Sequence, residues 1–166
     1  MAYKELFVLR HAKSSWDESS VDDVDRTLTL RGINDAHAMA NRLKKQLKDI
    51  DLILASHANR ATHTATIFAE IIGYPLSNIK ISSKLYDIGD NQFTSIVKEL
   101  SDDLTRVLIV GHNPTFTYFV NRYLRSTIDN IPTTGIVGLS FNTGSWSDIS
   151  KDVLQSSFFD YPKKGQ

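Results

Sequence analysis

The 166-residue chain contains no cysteine. Disulfides, thiolate metal sites and thiol nucleophiles are therefore excluded together. There is no excess of either charge, since 19 Lys and Arg balance 19 Asp and Glu. General adhesion to nucleic acid or to a membrane surface needs a net basic face, and none is provided. Basic stripes with interleaved aromatics are also missing, so no nucleic-acid role is expected. No apolar run approaches the ~18 residues that cross a bilayer. Met1–Arg10 offers only the short run Leu6–Leu9, too brief for a signal peptide, so the expected location is cytoplasmic. With four prolines, eight glycines and no Pro/Gly-rich linker, repeat or low-complexity tract, residues 1–166 read as a single domain. A neutral total still leaves room for a small, locally basic pocket.

Three segments have the pattern of buried strands: Leu6–Leu9, Leu52–Ala55 and Val107–Val110. Each is short, continuous and apolar, as a parallel strand covered on both faces must be. Helical patterns lie between them. Ile33, Ala36, Ala40, Leu43 and Leu47 recur at a spacing that keeps them on one helix face. A second helix is predicted from about Asn59 to Ile72, stopping at Gly73 with Pro75 beyond. A third is predicted over Gln92–Leu100, and a fourth from Pro114, where proline suits the first helical turn. Thr134–Phe141, Asn142-Thr143-Gly144 and Ser145–Ile149 read as a hairpin at a sheet edge. His37, at the border of the first apolar stripe, is expected to be packed. Residues 17–25 hold five acidic residues and no basic one, the pattern of a solvated loop. Alternating strands and helices imply an α/β fold: a three-layer α/β/α sandwich around a mainly parallel central sheet, with the edge hairpin near the C-terminus.

In an open α/β sheet, ligands bind beyond the carboxyl ends of the strands. The first strand runs into Arg10-His11, the second into Ser56-His57-Ala58-Asn59-Arg60, and the third into Gly111-His112-Asn113-Pro114. Two arginines and two or three histidines thus approach one sheet edge. Like charges repel and burial disfavours each of them, unless an anion joins them. Helix N-termini near Arg60 and Pro114 would add partial positive charge. A phosphate or similar compact oxyanion fits, with arginine forks gripping its oxygens.

The stretch LFVLRHAKSSW, with Arg10-His11 closing the first strand, resembles the signature of the histidine phosphatase superfamily, although Ala12 stands where members carry glycine. Three further stretches match in family order. They are Asp25-Arg26-Thr27-Leu28-Thr29-Leu30-Arg31-Gly32, then Ser56 with Arg60-Ala61 and Thr64-Ala65, then Val110-Gly111-His112-Asn113-Pro114. The matches span residues 6–114, and the RHAKSSW wording in a short chain is most similar to the SixA-like branch of small phosphohistidine phosphatases. The resemblance implies a phosphoglycerate mutase-like fold and an enzyme that hydrolyses a phosphoric monoester or phosphohistidine. His11 would be the nucleophile, forming a phosphohistidine intermediate. Arg10, Arg60 and His112 would bind and neutralise the phosphoryl group. It also places a general acid near Leu85-Tyr86-Asp87, with Asp87 the candidate and Asp90 a possible substitute; some SixA-like members lack an acid there.

Around these residues, Ser14 and Asn113 are candidates for additional phosphate contacts, with Ser15 and Lys13 close by. Trp16 either flanks the entrance or packs, and Arg26 either anchors the acidic loop or reaches the substrate. His57 and His63 lie six apart without carboxylates at ligand spacing, so no metal and no cofactor are expected. Only 33 residues separate Gly73 from Val107, and a strand and a helix must come from them, leaving little for a lid. An exposed pocket suits a phosphohistidine presented on a protein. The alternatives are a broad-specificity phosphomonoesterase acting on small phosphoesters, and a non-catalytic module that binds phosphate or a phosphoprotein. Oligomeric state has no signature in the sequence.

Overall fold

In the computed structural model, which describes residues 2–16 and 20–164, ten strands and helices are arranged around one six-stranded sheet. In chain order they are β1 (Lys4–Arg10), α1 (Leu30–Arg42), β2 (Leu52–Ser56), α2 (Asn59–Ile72), β3 (Lys80–Ser82), α3 (Asp90–Lys98), β4 (Arg106–Gly111), α4 (Thr115–Asn121), β5 (Ile136–Phe141) and β6 (Leu154–Asp160). The strand order is β3-β2-β4-β1-β5-β6. The first four are mutually parallel, whereas β5 and β6 join antiparallel. No described helix is long and apolar enough to cross a membrane.

The continuous apolar runs of β1 and β4 follow from cover on both faces. Successive strand side chains point to opposite sides. Leu6, Val8, Val107 and Ile109 accordingly meet Phe93 and Val97 of α3 with Phe116 and Phe119 of α4. Phe7, Leu9, Leu108 and Val110 meet Ala36 and Ala40 of α1 with Ala65 and Phe68 of α2. The result is the three-layer sandwich. Between the two cores, the carboxyl ends of β1, β2 and β4 lie side by side, with Leu9 opposite Val110 and Val110 opposite Ala55.

Local chemistry explains the helix ends. Thr29 caps α1, its hydroxyl accepting the Gly32 amide at 3.0 Å. Helix α2 stops where Gly73 adopts φ 82°, a left-handed conformation that glycine takes without strain. Helix α1 ends at Arg42 rather than running through the whole apolar stripe; Leu43 and Leu47 are buried from the turns that follow. Helix α3 begins two residues earlier than its periodicity suggests, and His37 is exposed on the outer face of α1.

The edge hairpin near the C-terminus is present, but its second strand lies further along the chain than expected. β5 pairs with Leu154–Asp160, and Trp146–Asp148 within the predicted second strand is a single 3-10 turn. Trp146 is the cause. Its indole is completely buried, with Nε1 donating to the Leu104 carbonyl at 2.8 Å and the backbone amide donating to Asp102 Oδ1 at 2.9 Å. A segment that sends tryptophan and Ile149 into the core cannot also lie along the sheet edge.

Gly32 sits where α1 meets the loop after β1. A Cβ there would lie 2.2 Å from the Lys13 carbonyl oxygen, which already accepts the Thr29 amide at 2.9 Å. Gly32→Ala is expected to lower stability by roughly 1–3 kcal/mol through overpacking. Urea unfolding checks this, and an unchanged midpoint would show that the loop can give way.

Candidate active site

The three strand ends open into one cavity of about 590 Å3, which Arg10, His11, Arg60, Tyr86, Asp87 and His112 help to line. Ser14 and Asn113 also reach it. His11 is 7% exposed. Its Nδ1 lies 2.7 Å from the Ala12 carbonyl oxygen. A carbonyl can only accept, so Nδ1 carries the hydrogen and Nε2 the lone pair. Burial is the main reason the imidazole pKa falls to about 3, with the charges of His112, Arg60 and Arg10 pushing the same way. At neutral pH the ring is an uncharged base in one tautomer.

His112 stands against it, ring centroids 5.3 Å apart. Its Nε2 is 2.8 Å from Ser56 Oγ, and its pKa falls to about 4, first through burial and then through Arg60. Tyr86 packs edge-on against His112 at 5.5 Å and against His57 at 5.3 Å. His57 itself is exposed, as is His63. Among the described residues there is no group of three or more His, Asp or Glu arranged to hold a metal.

Both arginines are oriented by oxygen atoms. Arg10 donates from Nη1 to the Ile131 carbonyl at 2.8 Å. Arg60 donates from Nη1 to the Asp23 carbonyl at 2.7 Å and from Nη2 to Asp23 Oδ2 at 3.0 Å. The Nε atoms of both are buried without a protein partner, and so is Thr134 Oγ1. Buried unpaired donors are rare, and two on arginines beside one cavity are what an oxyanion would satisfy.

The remaining candidates divide. Ser14 Oγ accepts from Arg26 Nη1 at 2.7 Å, which leaves its own hydroxyl hydrogen able to donate. Asn113 has both amide hydrogens committed, to Asn130 Oδ1 and the Ile131 carbonyl, each at 2.9 Å. Its Oδ1 accepts from Thr117, so the side chain holds the loop and has no amide hydrogen left for an anion. Asp87 is exposed at the cavity wall with φ 54°. Asp90, the other acid considered, is bound by Arg122 at 2.5 Å. Trp16 is 76% exposed and flanks the entrance, stacked on Arg26 with the guanidinium carbon 3.5 Å from the ring centroid. Arg26 anchors the loop, through Asp23 Oδ1 at 3.0 Å and Ser14.

Three residues have roles that the sequence did not assign, although Ser56 and Thr64 lie in a matched stretch. Thr64 accepts the Ala12 amide at 2.9 Å and donates to the Arg60 carbonyl at 2.7 Å, tying α2 to the His11 loop. Ser56 is the partner of His112. Asp23, in the acidic run expected to be solvated, points its carboxylate at Arg60, Arg26 and Tyr86. Residues 17–19 of that run lie outside the described residues. The signal for Thr64 was its spacing of four from Arg60; nothing marked Asp23 among its acidic neighbours.

Because both imidazoles have folded-state pKa values below 6.5, the unfolded chain binds more protons below that pH. Their contribution to stability is full above about pH 6.5 and is lost progressively as the pH falls toward 4 and 3. Urea unfolding from pH 7 to pH 4 is therefore expected to show falling stability, with a shallower slope in His11→Asn. An identical slope in the variant would remove His11 from this balance.

A family model described as the histidine phosphatase superfamily (branch 1) matches residues 6–89. An uncharacterized protein of Mycobacterium leprae (strain TN) is 29% identical over 167 residues, covering 93% of this chain and all of that protein. The phosphohistidine phosphatase SixA of Escherichia coli (strain K12) is 29% identical over 118 residues, covering 70% of this chain and 71% of its own. Among solved structures, a Nakamurella multipartitia protein assigned as the phosphohistidine phosphatase SixA superimposes with a TM-score of 0.79 at 23% identity, covering 98% of both chains. The fold is the phosphoglycerate mutase-like one that the motifs implied. On the family match, and with Arg10-His11, Arg60 and His112 gathered at one sheet edge, the chain belongs to the histidine phosphatase superfamily.

Proposed function

We propose that this protein is a metal-independent phosphatase that passes a phosphoryl group through His11, and that its substrate is a phosphohistidine carried on another protein. The observation that carries this reading is the state of His11: buried, neutral, and fixed in one tautomer by the Ala12 carbonyl, beside arginines whose Nε atoms lack partners. In the first step the Nε2 lone pair forms a bond to phosphorus while the bond to the leaving group breaks. Arg10 and Arg60 neutralise the equatorial oxygens, and His112 donates a hydrogen bond to one of them. Ser14 can add a hydroxyl donor. In the second step water attacks phosphorus, the His11 nitrogen leaves, and orthophosphate departs with the surplus proton passing to solvent.

The rim supports this substrate class. The chain between α2 and β4 is taken up by β3, two 3-10 turns and α3, which leaves no long insertion there to form a lid. Such a mouth admits a side chain presented on a protein surface. A phosphoglycerate mutase must shield its intermediate from water, and this rim suits that task poorly. The position of Asp87 on the cavity wall favours a second substrate class, small phosphoesters, because an alkoxide or phenoxide leaving group needs a proton that a protonated imidazole leaving group does not.

The test is phosphate release from a phosphohistidine-bearing protein and from an aryl phosphate, with chelator present throughout. Wild type is expected to turn over and His11→Ala to lose activity by at least about a thousandfold, as for removal of a covalent nucleophile. Binding of orthophosphate without turnover by wild type would instead make the chain a phosphate-binding module. Loss of activity in chelator, restored by Zn2+ or Mg2+, would overturn metal independence. Asp87→Asn is expected to reduce aryl phosphate hydrolysis by roughly 100-fold while changing phosphohistidine hydrolysis far less; equal losses would take Asp87 out of the proton-donor role.

A further inference from the structure

The acidic run was expected to be solvated, yet Asp23 is the residue that holds the head of Arg60. Nη1 and Nη2 of Arg60 both donate to Asp23, one to its carbonyl oxygen and one to Oδ2. The backbone of Arg60 is fixed separately, through Thr64. A guanidinium carries five N–H groups in a planar fork. Contact with Asp23 at Nη1 and Nη2 fixes that plane and leaves the Nε–H, which is buried and unpartnered, as a donor beside the cavity.

The same carboxylate reaches further. Tyr86 donates its hydroxyl hydrogen to Oδ2, and its ring stands edge-on to His112. Arg26 donates to Oδ1 and holds the loop to Ser14. Asp23 therefore links the phosphate-binding arginine, the aromatic wall beside the second histidine, and the strand-end loop. The carboxylate is ionised throughout the neutral range, its pKa lowered to about 2 chiefly by the Tyr86 hydrogen bond.

We propose that Asp23 is a positioning residue of this site, setting the plane of the Arg60 guanidinium and, through Tyr86, the wall against His112. The inference deepens the reading of the cavity as a phosphoryl-transfer site. An opposing view of the same contacts makes Asp23 a competitor that occupies Arg60 and must be displaced. The two views predict opposite signs.

The test is a double-mutant cycle of Asp23→Asn and Arg60→Lys on the full chain, read twice: as kcat/KM on an aryl phosphate, and as the dissociation constant for orthophosphate by calorimetry. Asparagine keeps the size and the main-chain carbonyl contact but removes the charge. Its effect on the melting temperature, measured alongside, separates folding from positioning. Asp23→Asn is expected to lower kcat/KM roughly ten- to a hundredfold, the scale for a misplaced catalytic group. Arg60→Lys, which exchanges a planar fork for a point charge, is expected to be severe in the wild-type background and mild once Asp23 is gone. Two results would overturn the proposal: independent, multiplying effects in the cycle, or a rise in kcat/KM on Asp23→Asn. If wild type binds orthophosphate but turns over no substrate, the phosphatase reading fails, and the binding cycle alone decides the role of Asp23.

Discussion

Two arginines and two histidines share one small cavity because the histidines are kept uncharged. Burial removes the proton from His11 and His112 before repulsion from Arg10 and Arg60 is added, so the positive charge that remains belongs to the guanidiniums. Their fixed, delocalised charge survives burial where an imidazolium does not. The neighbouring oxygens then follow. The Ala12 carbonyl selects the His11 tautomer, the Ile131 carbonyl steadies Arg10, and Asp23 brings a carboxylate to Arg60. A protonated imidazole in place of neutral His11 would have no free lone pair.

This balance is possible because the sheet brings separate chain segments together. β1, β2 and β4 are parallel neighbours, so residues distant in sequence leave their strands at the same edge. Helix α2 reinforces the arrangement by contributing Arg60 and Thr64 one turn apart. A single threonine hydroxyl, accepting from Ala12 and donating to the Arg60 carbonyl, keeps the first arginine-histidine loop in register with the second arginine.

Much of this was legible in the sequence. Three continuous apolar runs fixed the parallel strands, since burial on both faces leaves no polar alternation to misread. The residues directly after those runs supplied Arg10, His11, Arg60 and His112. What failed was whatever depended on a tertiary partner. Ser145–Ile149 follows a turn-like Asn-Thr-Gly and reads as the return strand of a hairpin, but Trp146 is drawn into the core by Leu104 and Asp102. His37 sits at the border of an apolar stripe, but α1 turns that border to solvent. Asn113 follows a catalytic-type histidine, yet the geometry of its loop uses up its amide. Asp23 was one acid among five, and only the approach of Arg60 and Tyr86 from elsewhere in the chain distinguishes it.

Ala12 stands where the superfamily pattern has glycine, and its methyl group is completely buried among residues of the α1 and α2 core. The segment bearing His11 is thus moored to the interior by van der Waals contact as well as by hydrogen bonds. Relative to glycine, backbone freedom at that point is exchanged for cohesion with the hydrophobic layer beneath. Local opening of the loop that carries His11 would have to draw this methyl group out of the α1/α2 core, so the opening of that loop is coupled to the packing of the two helices beneath it.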